Sequence, residues 1–331
     1  MQQPERFSER TMSRRQGISI LTSFLLAIVP WRTLALAAEG PQKVVFGHEA
    51  GRIQIAVNGK RFATYVFQDA KTLHPYFANV RAPDGIQLTR HHPPREGQDS
   101  IDAATSHTGV WQAFGDLSGG DSWHNRDRVE HVEFIYTPRV NDQSGTFAVE
   151  NRHYRGATVV CTEVCRYEIS LRPNGYLLIC ESTFENDGQS FYFGDEEDMG
   201  LAIRVSDPLR VEGGGGQILN SDGRMNESEV RGSRADWCVY GGSIGGKRAG
   251  ILAMPSPRNF RRCWYHARDY GLLVANPFGR EALSGGKESK VVVKPRESFR
   301  LGWGLLFYSS PREQPVDLKD EYRYYSRRCK Q

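Results

Sequence analysis

The sequence predicts a mainly β protein, a large antiparallel β-sandwich with few short helices, preceded by an export signal. Three observations predict the fold. Short stretches of alternating apolar and polar residues succeed one another along most of the chain, separated by turn residues. The 34 glycines suit a turn-rich chain, because turns that need a positive φ favour glycine. Helical periodicity is scarce and is clear only near the C-terminus.

The N-terminal segment has the three parts of a secretory signal. Arg6, Arg10, Arg14 and Arg15 make it basic, Ile18 to Val29 is an uncharged apolar run, and Ala35-Leu36-Ala37 offers small residues for cleavage. The apolar run would rise only about 18 Å as a helix, short of a bilayer core of roughly 30 Å. Residues 1–37 therefore read as a cleavable signal peptide, and residues 38–331 as one β domain in the periplasm or outside the cell. Ser13-Arg14-Arg15-Gln16 is similar to the twin-arginine export motif, although Gly17 stands where a large apolar residue is usual. The signal also carries most of the net charge. Removing its five Arg and two Glu takes the formal charge from +4 to 4 − 5 + 2 = +1. Residues 38–331 thus lack the charge excess that favours nucleic acid or an anionic membrane. No later segment approaches the apolar length of a membrane span.

Each element has its own signal. Ile53, Ile55 and Val57 alternate with polar neighbours, Asn58-Gly59 supplies a two-residue turn, and Phe62, Thr64 and Val66 resume the pattern. Tyr167–Leu171 and Tyr176–Cys180 flank Pro173-Asn174-Gly175 as a second hairpin. Further strands are expected at Gly200–Val205, Trp237–Tyr240, Gly250–Met254, Ser289–Val293 and Leu301–Phe307. Val316, Leu318, Tyr322 and Tyr325 have helical spacing, which predicts a helix from Val316 to about Arg328. Six cysteines, Cys161, Cys165, Cys180, Cys238, Cys263 and Cys329, permit disulfides in an oxidising compartment. Buried free thiols and a zinc site are the alternatives, the latter without a matching second Cys pair.

Candidate functional residues form two concentrations. Six of the nine histidines (His74, His91, His92, His107, His124 and His131) fall in a stretch of weak alternation that reads as long loops. Arg90, Asp116, Asp121, Arg126 and Glu130 lie there too, with Trp111, Phe114 and Trp123. Aromatic faces beside charged hydrogen-bonding groups suit a sugar or another small polar ligand. The second concentration is Cys263-Trp-Tyr-His-Ala-Arg-Asp-Tyr-Gly271, leading to Asn276-Pro277. On a strand, His266, Arg268 and Tyr270 share a face, and His beside Arg can polarise an oxyanion or a sugar hydroxyl. The bland alternatives are loop histidines that only hold the loops, and a local Arg268–Asp269 pair. A transition metal is a further possibility from the His and carboxylate content, but no His-x-His or His-x3-His pair supports it, so no metal ligand is assigned. Gly213–Gly216 lacks the helix and Lys-Ser/Thr of a phosphate loop, and no Gly-x-Ser-x-Gly elbow is present.

Several segments carry a family resemblance: HPYFANVRAPDGIQLTRHHPP, HTGVWQAFGDLSGGDSW, GLAIRVSDPL, ADWCVYGG and WYHARDYGLLVANPFG. Together they resemble the bacterial PmoA-like ("methane oxygenase PmoA") domain over nearly all of the chain beyond the signal. Many members have two consecutive histidines before the Gly-x-Trp segment; here Ser106-His107 stands there, so only His107 is carried over. The arrangement, an early extended hairpin, a His-Pro loop and later loops on a sheet, is similar instead to a galactose-mutarotase-like supersandwich, a likeness of fold that does not settle function. The oxygenase label implies a metal-dependent oxidoreductase, whereas the residues favour a carbohydrate-active lyase, hydrolase or epimerase, or a non-catalytic saccharide-binding module. The expected acid/base and anchoring groups are His107, His266 and Arg268. The expected substrate contacts are Arg90, Trp111, Asp116, Trp123, His124, Arg126, Tyr270 and Asn276.

Overall fold

A computed structural model describes residues 44–141 and 143–330. The expected signal peptide, residues 1–37, lies outside the described residues. In chain order, β1 (Val44–Glu49), β2 (Arg52–Val57), β3 (Lys60–Val66) and β4 (Tyr76–Ala78) lead to β5 (Val110–Phe114). Four long strands follow: β6 (Val129–Val140), β7 (Ser144–Arg155), β8 (Thr158–Arg172) and β9 (Gly175–Glu185). Next come β10 (Phe191–Phe193), β11 (Met199–Arg204), β12 (Gly216–Asn220), α1 (Asn226–Val230), β13 (Cys238–Ile244) and β14 (Lys247–Pro255). The remainder is β15 (Trp264–Arg268), β16 (Leu272–Asn276), α2 (Arg280–Ser284), β17 (Val291–Val293), β18 (Ser298–Pro311) and α3 (Leu318–Arg328).

Two eight-stranded antiparallel sheets form the sandwich. The front sheet has the order β1-β2-β3-β4-β5-β11-β16-β15, and the back sheet β12-β13-β14-β18-β9-β8-β7-β6; β10 and β17 form a small ribbon. The mainly β sandwich expected from the alternation is therefore what the chain forms. Its hairpins follow local chemistry. Asn58 and Gly59 both take positive φ, 56° and 70°, as a two-residue turn between twisted strands requires. Inward positions of the two sheets, among them Ile53, Ile55, Phe62, Tyr65, Phe147, Leu178, Trp303 and Phe307, make one continuous core.

The stretch expected to be long loops holds β4, β5 and the start of β6. The alternation is missing there for a physical reason. Apart from Gln112, every residue of β5 is buried, so both faces of the strand carry apolar side chains and no period of two is written into it. Among the described residues all six cysteines are free thiols, five of them buried, so the even count closes no disulfide. Burial pushes the thiols of Cys161, Cys165, Cys238 and Cys263 well up, which keeps them protonated and unreactive.

The outward faces of the two sheets are treated differently. Helix α3 seals the back sheet: Tyr325 packs with Leu177, Ile179, Leu252, Met254, Leu306 and Tyr308. Gly304 makes the approach possible, since a Cβ there would lie 2.7 Å from the Tyr325 ring. Asp317 caps the helix by accepting from the Lys319 and Asp320 amides, both at 3.0 Å, which starts the helix two residues later than its periodicity suggests. Arg172–Glu321 and Arg328–Glu168 tie its two ends to β8, each at 2.8 Å. Replacing Tyr325 with Ala removes the ring from this seal and is expected to cost about 3–4 kcal/mol, read as a lower urea midpoint at unchanged slope.

Candidate functional site

The front sheet turns a different face outward. Its register sets Arg52, Val66, Tyr76, Trp111, Ala202, Val274 and His266 in one row across β2, β3, β4, β5, β11, β16 and β15. Arg204, Leu272 and Arg268 make a shorter parallel row. Between Trp111 and His266 the row holds only Ala202 and Val274, a low floor with a taller aromatic or imidazole group at each end. Trp123, from the loop after β5, packs into the same apolar patch.

One wall is His107 on Trp111. The rings stack with centroids 5.5 Å apart and planes 25° apart, and Trp123 adjoins Trp111 at 5.4 Å. Burial, with Arg204 and Arg90 nearby, pulls the His107 pKa down to about 3, so its ring is neutral near pH 7. The other wall is His266. Its Nδ1 lies 3.3 Å from Asp198 Oδ1, off-line for a hydrogen bond, which leaves both ring nitrogens without a partner among the described residues. Asp198 Oδ2 in turn lies 3.4 Å from His124 Nε2, and His124 Nδ1 lies 3.0 Å from Asp121 Oδ2. Side-chain exposure rises along this series from 4% at His266 to 23% at Asp198 and 48% at His124. Solvent therefore meets the site at Asp198 and His124.

The third side is cationic. The Arg204 guanidinium faces the Tyr270 ring at 4.7 Å and Arg268 faces it at 5.5 Å. Burial raises the Tyr270 pKa, which keeps its phenol protonated. Arg204 donates to Asp102 at 2.8 Å, while its Nε and Nη1 are buried and have no partner among the described residues. Arg268 Nε lies 3.0 Å from Glu227, and Asp269 exchanges backbone–carboxylate bonds with the same glutamate, so the local Arg268–Asp269 pair does not form.

Not every expected contact faces this space. Asn276 is fully buried, and both ends of its amide are engaged: Nδ2 donates to the carbonyls of Glu196 and Glu197, and Oδ1 accepts from Phe278 and Gly279. It holds the β16 turn and has no free group for a substrate. Arg90, also fully buried, donates to the carbonyls of Ser100, Asp102 and His107 at 2.7–2.9 Å and so clamps the covering loop. Asp116 accepts from the Gly119 amide in a tight turn, and Arg126 stands exposed beside Asp121. Trp111 and Trp123 are too buried to offer a ring face, so they build the wall, and half-buried Tyr270 is the aromatic group at the opening. His107, His124, His266, Arg268 and Tyr270 do share the outward face of the front sheet. Asp198 and Arg204 were not singled out from the sequence. The signal for Arg204 was a lone charge inside the apolar run Leu201-Ala202-Ile203-Arg204-Val205.

Among the described residues, no group of three or more His, Cys, Asp or Glu side chains could hold a metal ion, and no helix is long and apolar enough to cross a membrane.

The model of a family of unknown function, DUF6807, matches residues 52–319. That match corrects the resemblance to the PmoA-like family, which nothing in the comparisons indicates. None of the curated proteins matches the chain. Among solved structures, a human-microbiome protein described as a kojibiose phosphorylase is 8% identical, with a TM-score of 0.37. The match covers 80% of this chain but only 32% of that one. A galactose mutarotase-like protein from Clostridium acetobutylicum is 10% identical, covering 81% of this chain and 98% of its own, with a TM-score of 0.38. A 4-alpha-glucanotransferase from Thermococcus litoralis is 8% identical over 82% of this chain and 38% of its own, with a TM-score of 0.29.

Burial also lowers His74 and His92, each to about 4. Because the folded pKa values lie below the unfolded value near 6.5, the stability these histidines support is complete above that pH. It is lost as pH falls, through about 4 for His74 and His92 and about 3 for His107. Each fully buried ring contributes a slope of up to about 1.4 kcal/mol per pH unit, and the partly exposed His92 less. His107→Gln should flatten the dependence of unfolding free energy on pH between 6 and 4 by about one proton, measured by urea titrations at several pH values. Asn276→Ala should lower stability by about 2 kcal/mol or more in the same assay, because it strands buried backbone groups.

Proposed function

Since the chain belongs to the DUF6807 family, a family of unknown function, we propose its function from the site alone: an exported carbohydrate-active protein that processes a saccharide on the outward face of its front sheet. One observation carries this reading. Among the described residues, nitrogens of His107 and His266, with Arg204 Nε and Nη1 beside them, lie unpartnered around one patch. A buried polar group without a partner costs about 1–3 kcal/mol, so such a group calls for an explanation, and several in one place suit a hydroxyl-rich ligand that bonds to them.

The proposed chemistry is proton transfer. Asp198 stands 3.3 Å from Nδ1 of His266, and Nε2 of that ring serves as the general base. Tyr270, kept neutral by burial, has a proton to give, and Arg204 and Arg268 stabilise negative charge that develops beside it. Neutral His107 accepts or donates one hydrogen bond and fixes the ligand's position. A single base, a phenol and two cations suit lyase or epimerase chemistry. They match less well the carboxylate pair that glycoside hydrolysis uses.

His266→Gln and Asp198→Asn are expected to lower turnover of a responsive glycan about 100-fold or more while the fold persists, checked by circular dichroism and product analysis. Binding with no product from the unmodified protein would favour a saccharide-binding module. If His107→Gln and His266→Gln together leave binding and turnover of every responsive glycan unchanged, the proposal is wrong.

A further inference from the structure

At the other end of the same outward face lies a cavity of about 230 Å³ bounded by β2, β3, β4 and the loop that follows. Four arginines line it, Arg52, Arg61, Arg81 and Arg95, against a single carboxylate, Asp69. That carboxylate is already satisfied. Its Oδ2 accepts from the Tyr76 hydroxyl at 2.7 Å, and its Oδ1 accepts from the Lys71 and Thr72 amides at 2.7 and 3.1 Å.

The guanidiniums are largely uncommitted. Among the described residues, Arg61 and Arg95 make no ion pair or side-chain hydrogen bond. Arg52 has only Glu49 at 4.0 Å, and Arg81 gives one bond to the Gly85 carbonyl. Residues 38–331 carry a formal charge of only +1, from +4 less five Arg and plus two Glu, so this positive concentration is local and not a reflection of overall basicity. Guanidinium is planar and matches a carboxylate or sulfate with two parallel bonds. Thr64 and Asn79, also on the wall, can meet hydroxyls.

We infer that this cavity is an anion subsite for an acidic oligosaccharide, a chain that carries uronate carboxylates. The inference rests on the saccharide reading of the His107–His266 site and names its substrate class. The geometry for it is the set of four guanidiniums around one cavity, on the face whose far end carries His266. Tyr76 belongs to both regions: it lines the cavity and packs in the apolar patch beside Trp111.

The test is titration calorimetry with oligosaccharides of polygalacturonate, alginate and hyaluronan, each beside its carboxyl-reduced neutral counterpart. The acidic form of at least one series should bind more tightly than its neutral form and weaken as salt rises. The Arg61→Ala/Arg95→Ala double variant, whose changes are both at exposed side chains, should keep the native melting profile and lose about tenfold or more in affinity for that series. Its affinity for a neutral saccharide bound at the His107–His266 site should not move. Equal binding of acidic and neutral forms, or an unchanged affinity in the double variant, would overturn the anion subsite and leave the saccharide reading standing. Arginine-dependent binding that is indifferent to His107→Gln and His266→Gln would keep the subsite and overturn the site reading. No binding by any of these compounds overturns both.

Discussion

Arg90 and Arg204 meet at Asp102, and the covering loop of the front sheet depends on that meeting. Both guanidiniums are fully buried, and one carboxylate serves the two, 2.8 Å from Arg204 and 3.5 Å from Arg90. Arg90 also gathers four loop carbonyls, so the segment that ends in His107 is fixed from beneath. Removing one member of such a set would strand a buried charge, which generally costs more than a lost surface pair. The same excess of positive charge, added to burial, is what keeps His107 neutral. Holding the loop and setting the protonation state of the imidazole are thus one arrangement.

How much of this was legible in the sequence follows from what each residue does locally. The Asn58-Gly59 hairpin and the C-terminal helix were visible because turn chemistry and a one-sided apolar stripe are written in adjacent residues. Strand β5 was hidden by being buried on both faces. His266, Arg268 and Tyr270 could be placed together because they lie within one short segment. Asp198 could not. It is brought to His266 by the pairing of β11 with β16 and β16 with β15, a contact that no local pattern records. Asn276 and Arg90 show the converse error. Their residue types suit substrate binding, but their hydrogen bonds are taken up by backbone, and that is visible only in three dimensions.

The two outward faces divide the roles of the sandwich. The back sheet is closed by a capped helix seated in a space that Gly304 leaves free. The front sheet is covered by loops, and its cover is polar, aromatic and stepped in exposure. Strands provide the precise spacing and loops provide the chemistry, the usual arrangement of sites on rigid scaffolds. Ala202 and Val274 pack in the apolar patch that separates Trp111 from His266 along the row.

The buried thiols have a consequence for how the molecule is made. Five reduced sulfurs are sealed in the finished fold, out of reach of oxidants. During folding they are not. A chain that reached an oxidising compartment unfolded would have to sequester them faster than wrong pairs could form, with 15 ways to couple six cysteines. A chain that folded first in reducing surroundings would arrive with that race already over. If the N-terminal segment acts as its residues suggest, the order of folding and translocation decides whether these sulfurs are inert packing or a source of misfolding.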